Sequence, residues 1–311
     1  MSLHSYVYFK GRKFKGIGFL IFLCLVSGKS LCQNKLGIDG MAPAKWINIR
    51  HTQAPGQSYR SIVSQDKVCT QEDIYFKAWL PIVHRNKFSL VIGPQYRTEQ
   101  LEFKSNSENP AHMLSHWNLR YVGADIRSMI ALDSSLWLML NVNANKSGNF
   151  GDYRIKNFPL NLTFSGAFVK KKSNNQEFGA GLLVNKSFTG ITVLPILIYH
   201  YNFSKKTGIE INFPYKTAWR YNASSSDILY LKAEALNRTY FVQGQEAQCS
   251  FRTINVDMGI AYNKSFNKLI GAEAFVGYRQ NISNQLPVNV TAVKKSGMAF
   301  SLEIYIRPPL K

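Results

Sequence analysis

Apolar and polar residues alternate along most of this chain with a period of two. In the stretch Ser296 to Arg307, Met298, Phe300, Leu302, Ile304 and Ile306 share one parity. Ala299, Ser301, Glu303, Tyr305 and Arg307 share the other. Alternation of this kind places successive side chains on opposite faces of a strand. It recurs upstream: Leu136, Leu138, Leu140 and Val142 oppose Asn141, Asn143 and Asn145, and Leu160, Leu162, Phe164 and Phe168 oppose Asn161, Thr163 and Ser165. Ile254, Val256, Met258 and Ile260 likewise oppose Asn255, Asp257 and Asn263. No stretch shows the 3.6-residue periodicity of an amphipathic helix. The pattern predicts an all-β chain, starting with a short strand at Trp46–Gln53 and ending at Arg307. In Ser115–Leu132 the phase slips, which predicts a β-bulge at Gly123. Pro81 and Pro195 fall inside strand patterns and are expected at a rim or a bulge.

The connections alternate in length. Short ones fall at 84–87, 133–135, 172–175, 204–207, 224–226 and 264–268, and long ones at 54–72, 104–114, 148–156, 237–251 and 281–295. The connections at 187–190 and 214–216 break this rule. Short turns at one end and long loops at the other are the signature of an outer-membrane barrel. Charged residues also stand at strand centres on the polar parity: Glu210, Lys232, Glu234, Asp257, Glu273, Arg279 and Glu303. A sandwich core would not bury them, whereas a wet or hydrogen-bonded lumen accepts them. The expected fold is a single antiparallel up-and-down transmembrane β-barrel of roughly 12–14 strands, spanning residues 46–307 after a polar lead-in at 33–45. A soluble secreted β-sandwich is the alternative that alternation alone leaves open. Counted from a periplasmic N-terminus, the short turns face the periplasm, and the 54–72 and 237–251 loops face outward.

Residues 1–32 read differently. Lys10, Arg12, Lys13 and Lys15 precede the apolar run Gly16–Val26, and Ser30-Leu31-Cys32 supplies small residues at the −3 and −1 positions. This is the pattern of a cleaved signal peptide, which exports the chain, and with the barrel pattern it places the mature chain in the bacterial outer membrane. Of the 38 Lys and Arg in the chain, five (Lys10, Arg12, Lys13, Lys15, Lys29) lie in this leader, which leaves 33 against 18 Asp and Glu, a net +15. Those charges are scattered through turns such as Lys170-Lys171-Lys172, and export argues against nucleic acid as a partner. Outer-membrane lipids are the expected contact. The barrel-assembly machinery is expected to engage the C-terminal strand.

Two cysteines follow the leader, Cys69 and Cys249. Both fall in predicted outer loops, and export permits a disulfide. Bridged and free thiols are both open readings, since a shared face does not bring Cα atoms within the ~7 Å that a bridge needs.

The layout resembles an uncharacterised family of Gram-negative outer-membrane β-barrels, known as a domain of unknown function. The residues carrying the resemblance are Ala78-Trp79-Leu80-Pro81, Gly179-Ala180-Gly181-Leu182, Leu194-Pro195-Ile196-Leu197-Ile198-Tyr199-His200-Tyr201 and Ile211-Asn212-Phe213-Pro214. The resemblance implies fold and location and supplies no functional residues. No catalytic, metal or cofactor motif stands out. His200 is the best catalytic candidate, but Ser204 is four residues along the same strand, about 13 Å away. His112 and His116 lack a third ligand for a metal. A structural barrel or passive pore for small solutes, without enzymatic activity, is the expected function, and a lipid-modifying barrel enzyme is the alternative.

Overall fold

The computed structural model describes residues 36–61, 67–103, 118–150, 154–243, 248–285, 290–292 and 297–308. The leader at 1–32, the loop at 104–114 with His112, and His116 lie outside the described residues. The described chain is almost entirely strand: β1 (Ile47–Ser61), β2 (Lys67–Ala78), β3 (Leu80–His84), β4 (Phe88–Phe103), β5 (Leu119–Ala131), β6 (Leu136–Gly148), β7 (Asn161–Ser173), β8 (Gln176–Ser187), β9 (Gly190–Asn202), β10 (Thr207–Phe213), β11 (Lys216–Asn222), β12 (Asp227–Gln243), β13 (Gln248–Ser265), β14 (Ile270–Gln285), β15 (Val290–Ala292) and β16 (Gly297–Ile306).

Strands pair antiparallel around the wall, β2 and β3 both with β4 and β14 with β16, and β1 closes the sheet by pairing with both β2 and β16. The result is a closed barrel of 14 strands, with β3 continuing β2 past Trp79 and β15 a short spur beside β1. Closure pairs most of the sheet edge that lipid would otherwise leave open, the short β10–β11 hairpin excepted, and it excludes the sandwich. The alternation read from the sequence is the division between wall faces. Phe164, Phe168, Leu182, Leu231, Ile260, Leu302 and Ile304 are exposed on the outside, while Arg220, Asp257, Arg279 and Glu303 are buried on the inside. This apolar exterior, the surface that meets acyl chains, makes this an outer-membrane β-barrel. Tight turns between β3 and β4, β5 and β6, β7 and β8, β9 and β10, β11 and β12, and β13 and β14 share one end.

Two expectations are corrected, and one of two open readings is selected. No bulge interrupts β5 at Gly123, which pairs in register with Gln95 and Asn145. The apparent slip arose because Leu119 and Tyr121 face inward beside Asp125, so apolar residues stand on the lumen parity. The register shifts fall instead at Ala54/Gln57, Pro81/Val83, Lys171/Ser173 and Ile254/Asn255, and Pro81 does sit at one. The outer loops are also shorter than expected. β1 and β2 run on through much of 54–72, and β12 and β13 run through most of 237–251. Polar residues there suggested loop, yet Arg238 and Tyr240 face inward and are buried. Finally, Cys69 is a free, buried thiol whose Sγ lies 3.5 Å from the Thr70 carbonyl, so no bridge joins it to Cys249. Both cysteines do occupy the loop end, but β1, β16 and β14 stand between their strands, and each step along the wall is about 4.8 Å.

Candidate functional site: the barrel interior

All seven charged residues assigned to the lumen face it, and the structure joins them to partners that the sequence did not mark. Arg279 holds Asp257 through two bonds, Nε to Oδ1 at 2.7 Å and Nη2 to Oδ2 at 2.8 Å, and donates Nη1 to Gln71. Lys232 reaches Glu273 at 2.6 Å and Glu234 at 3.6 Å, and Arg50 reaches Glu234 at 3.0 Å. Lys45 bridges Glu273 and Glu303 at 3.1 and 2.9 Å. Glu210 lies 3.6 Å from Arg220 and 3.7 Å from Lys216. A further cluster spans the barrel: Arg238 of β12 pairs with Asp73 of β2 and approaches Glu99 of β4 at 3.0 Å, while Tyr240 donates to Glu99 at 2.6 Å. Asp73, Glu99, Arg238 and Tyr240 are all fully buried. Their parity within correctly bounded strands would have revealed them; reading 237–251 as loop hid two of the four.

These pairs fill the interior along β1, β2, β4 and β12–β16. Arg50, Thr52, Lys232, Glu234, Asp257 and Phe275 line a cavity of only about 10 Å³, room for a single water. A buried charge is tolerable when an opposite charge stands beside it, and each of these has one, although Arg50 Nε, Asp73 Oδ1, Arg220 Nε and Arg238 Nε make no hydrogen bond of their own.

The interior along β5–β9 is different. Tyr121, Asn141, Asn143, Asn145, Thr163, Ser165 and Asn185 face inward but are only half-buried. They form a ladder of mostly neutral hydrogen bonds: Asn143 donates to Asp125 at 2.8 Å, Asn145 to Asn143 at 2.7 Å, Asn161 to Asn145 at 3.2 Å, and Thr163 to Asn185 at 2.8 Å. Lys77 pairs with Asp125 at the edge of this side. Half-exposed side chains on the inner face of a closed wall mean that water reaches them.

The lead-in preceding β1 is part of the interior. Residues 37–45 cross the tight-turn end as a strap. Gly37 N–H donates to Glu177 at 2.7 Å, Asp39 N–H to the Asn174 carbonyl at 2.9 Å, and Ala42 N–H to Tyr230 Oη at 3.1 Å. Arg220 and Asn202 both donate to the Asp39 carbonyl at 3.0 Å. Gly40 adopts φ +75°, and a Cβ there would stand 2.4 Å from Asn222 Nδ2 and 3.0 Å from Arg220 Nη1, so only glycine fits. His200 sits beneath the strap, its Nδ1 2.6 Å from Glu177 Oε1. Ser204 instead makes a turn with Thr207. His200 is thus a partner of the strap's anchor, apart from the serine weighed as its nucleophile.

A closed 14-strand barrel with an apolar exterior and a charged interior defines an outer-membrane β-barrel protein. The chain belongs to the domain of unknown function family DUF6268, whose model matches residues 109–286, from the loop before β5 to β14. No curated protein matches the sequence. Solved structures with a similar fold include an outer-membrane channel from Pseudomonas putida F1, at 11% identity over 88% of this chain and 99% of that one with a TM-score of 0.46. A TodX monoaromatic hydrocarbon channel deltaS2 mutant matches at 8% identity over 85% and 90%, TM-score 0.43. LpxR from Salmonella typhimurium matches at 6% over 84% and 99%, TM-score 0.38. Likenesses of this degree carry neither residues nor activity across.

Proposed function

We propose that this barrel is a passive outer-membrane channel for small solutes, without enzymatic activity, whose periplasmic mouth is held shut by its own N-terminal strap. The observation that carries the reading is the strap itself. A purely structural barrel has no need of a segment bonded across its mouth to Glu177, Asn174, Asn202, Arg220, Tyr230, Glu273 and Glu303. The half-buried Asn, Thr and Ser of β5–β9 supply the solvated route behind it. Hydrogen-bonding side chains of that kind suit uncharged or weakly charged polar solutes, because they replace water contacts without holding a charge. Outer-membrane lipids are the surroundings of the apolar exterior, and the outward face of β16 (Phe300, Leu302, Ile304, Ile306) is the segment proposed to meet the assembly machinery.

The adjacency of Asp39 and Asn174 gives the test. A disulfide between Asp39→Cys and Asn174→Cys, in a Cys69→Ser, Cys249→Ser background, locks the strap down. In planar bilayers the oxidised protein should conduct little, and reduction should restore the opening events of the unlinked protein. Equal conductance before and after reduction would show that the strap is no gate. Absence of conductance from the unlinked protein as well would remove the channel reading.

A further inference from the structure

One part of the wall is missing. β9 has 13 residues and β12 has 17, but β10 and β11 between them have only 7 each. β10 leaves the tight-turn end and β11 returns to it after seven residues, so their hairpin stops part of the way up. Its last pairs are Phe213 with Leu197 on one side and Lys216 with Glu234 on the other. Above them, residues 190–196 of β9 and 235–243 of β12 make no strand pairing with each other among the described residues.

β12 does not stay to close the gap. Its upper half turns into the barrel, where Phe241 makes a parallel bridge to Gly148 of β6 and Ser147 Oγ donates to the Thr239 carbonyl at 2.6 Å. Gly148 permits this approach, since a Cβ there would lie 2.2 Å from the Phe241 carbonyl. At the top, Phe188 and Phe241 meet edge to face with ring centroids 5.3 Å apart. The gap is therefore a window, framed by β9, β12, the Pro214–Tyr215 tip below and this aromatic pair above.

Exposure along β9 shows the same break. Leu194 points inward by parity, yet it is 37% exposed, against 9% for Ile196 two residues lower on the same face. Pro195 stands on the unpaired edge, where its missing N–H removes a donor that would otherwise lack a partner. Behind the window the inner wall is apolar: Ala167, Leu183 and Ile196 form a buried cluster with Ile198 packed against it. Outside it lie Val193, Leu197 and Phe213, all exposed within the lipid-facing band.

We infer that this window is a lateral portal through which small uncharged apolar molecules pass between the barrel interior and the bilayer. The inference rests on the channel reading and extends it to a second class of solute. An apolar molecule crosses an apolar frame without losing hydration, whereas a charged one would be stripped of water there. The polar β5–β9 surface and the apolar window thus serve different solutes within one barrel.

Single cysteines at Val193, Leu194 and Ile198, in the Cys69→Ser, Cys249→Ser background, test it. Each folded variant, verified by heat-modifiable gel migration, is placed in phospholipid vesicles and exposed to a maleimide dissolved in the bilayer. Leu194→Cys should react as fast as the outward Val193→Cys and on the order of tenfold faster than Ile198→Cys, whose wall is complete, a ratio equal to about 1.4 kcal/mol of local opening. The adduct at Leu194→Cys should then slow entry of naphthalene into the vesicles and leave ion conductance unchanged. Protection of Leu194→Cys to the level of Ile198→Cys would mean a closed wall and would overturn the portal. Fast labelling with unaltered naphthalene entry would make the window a lipid contact only, which overturns it too. Loss of the channel reading shows separately, as absent conductance in the unmodified protein.

Discussion

The two sides of the barrel interior obey different rules. Along β1, β2, β4 and β12–β16, charges of opposite sign are buried and matched one against another, and the cavity among Arg50, Lys232, Glu234 and Asp257 holds only about 10 Å³. Along β5–β8 part of the inner face carries neutral Asn, Thr and Ser, half-buried and joined by a ladder of bonds with neighbours on the same wall, beside the buried apolar cluster of Ala167, Leu183 and Ile196. In the first region some partners come from distant strands, as Arg238 and Asp73 do, 165 residues apart, while Arg279 and Asp257 face each other across one strand pair. In the second they are adjacent, as Thr163 and Asn185 are across one strand pair. Cross-wall ion pairs brace a barrel against flattening, and same-wall ladders satisfy a surface while leaving the space in front of it free. Here the two arrangements are segregated.

The sharpest way to break the contrast is to remove one polar side chain from each region, a charged one from the first and a neutral one from the second. Arg238→Met leaves Asp73 and Glu99 buried without their cation and should destabilise the barrel by about 3–5 kcal/mol. Asn143→Ala removes neutral bonds that water can replace and should cost about 1 kcal/mol or less. Urea unfolding in lipid vesicles, followed by tryptophan fluorescence, measures both. Comparable losses would mean that the β5–β9 side is as dry as the other.

A second pair of variants tests the wall that separates either region from lipid. Phe164 faces out and Thr163 faces the solvated interior, one residue apart on β7. Phe164→Arg should cost about 2–4 kcal/mol if that position is near the bilayer midplane, and Thr163→Arg much less. Vesicle folding assays that found equal losses would refute the division of faces.

That division was legible in the sequence because its cause is local. Period-two alternation needs only the strand's own geometry, and it located Glu210, Lys232, Glu234, Asp257, Glu273, Arg279 and Glu303 on the inside without any knowledge of partners. The short turns were legible for the same reason. What stayed hidden depended on distant strands. Arg238 and Tyr240 looked like loop because a polar run reads as solvated until Asp73 and Glu99 are placed opposite. The irregular connection at 214–216 was noticed, but that it ends a hairpin of half height could be seen only once β9 and β12 were measured beside it. The strap was read as a lead-in because its bonds go largely from backbone groups, which every residue possesses, to Glu177, Asn174, Asn202, Arg220 and Tyr230.

The smallest expected effect concerns a carboxylate outside both regions. Asp133 lies in the turn between β5 and β6, fully exposed, where Oδ1 accepts the Ser135 N–H at 2.6 Å and the Leu136 N–H at 2.7 Å. These backbone donors favour the charged form and hold its pKa below the ordinary carboxylate value of 3.8. A depressed pKa in the folded state means that this contribution is present in full above the unfolded value and disappears as pH falls through the folded one. Asp133→Asn should therefore narrow the stability difference between neutral pH and acid below the carboxylate range, slightly, while leaving the interior pairs untouched. Solvent already screens an exposed turn, so the change should be far smaller than that of Arg238→Met measured in the same titration. A change at Asp133 rivalling the one at Arg238 would mean that the turn end, and not the cross-wall ion pairs, secures the barrel in acid.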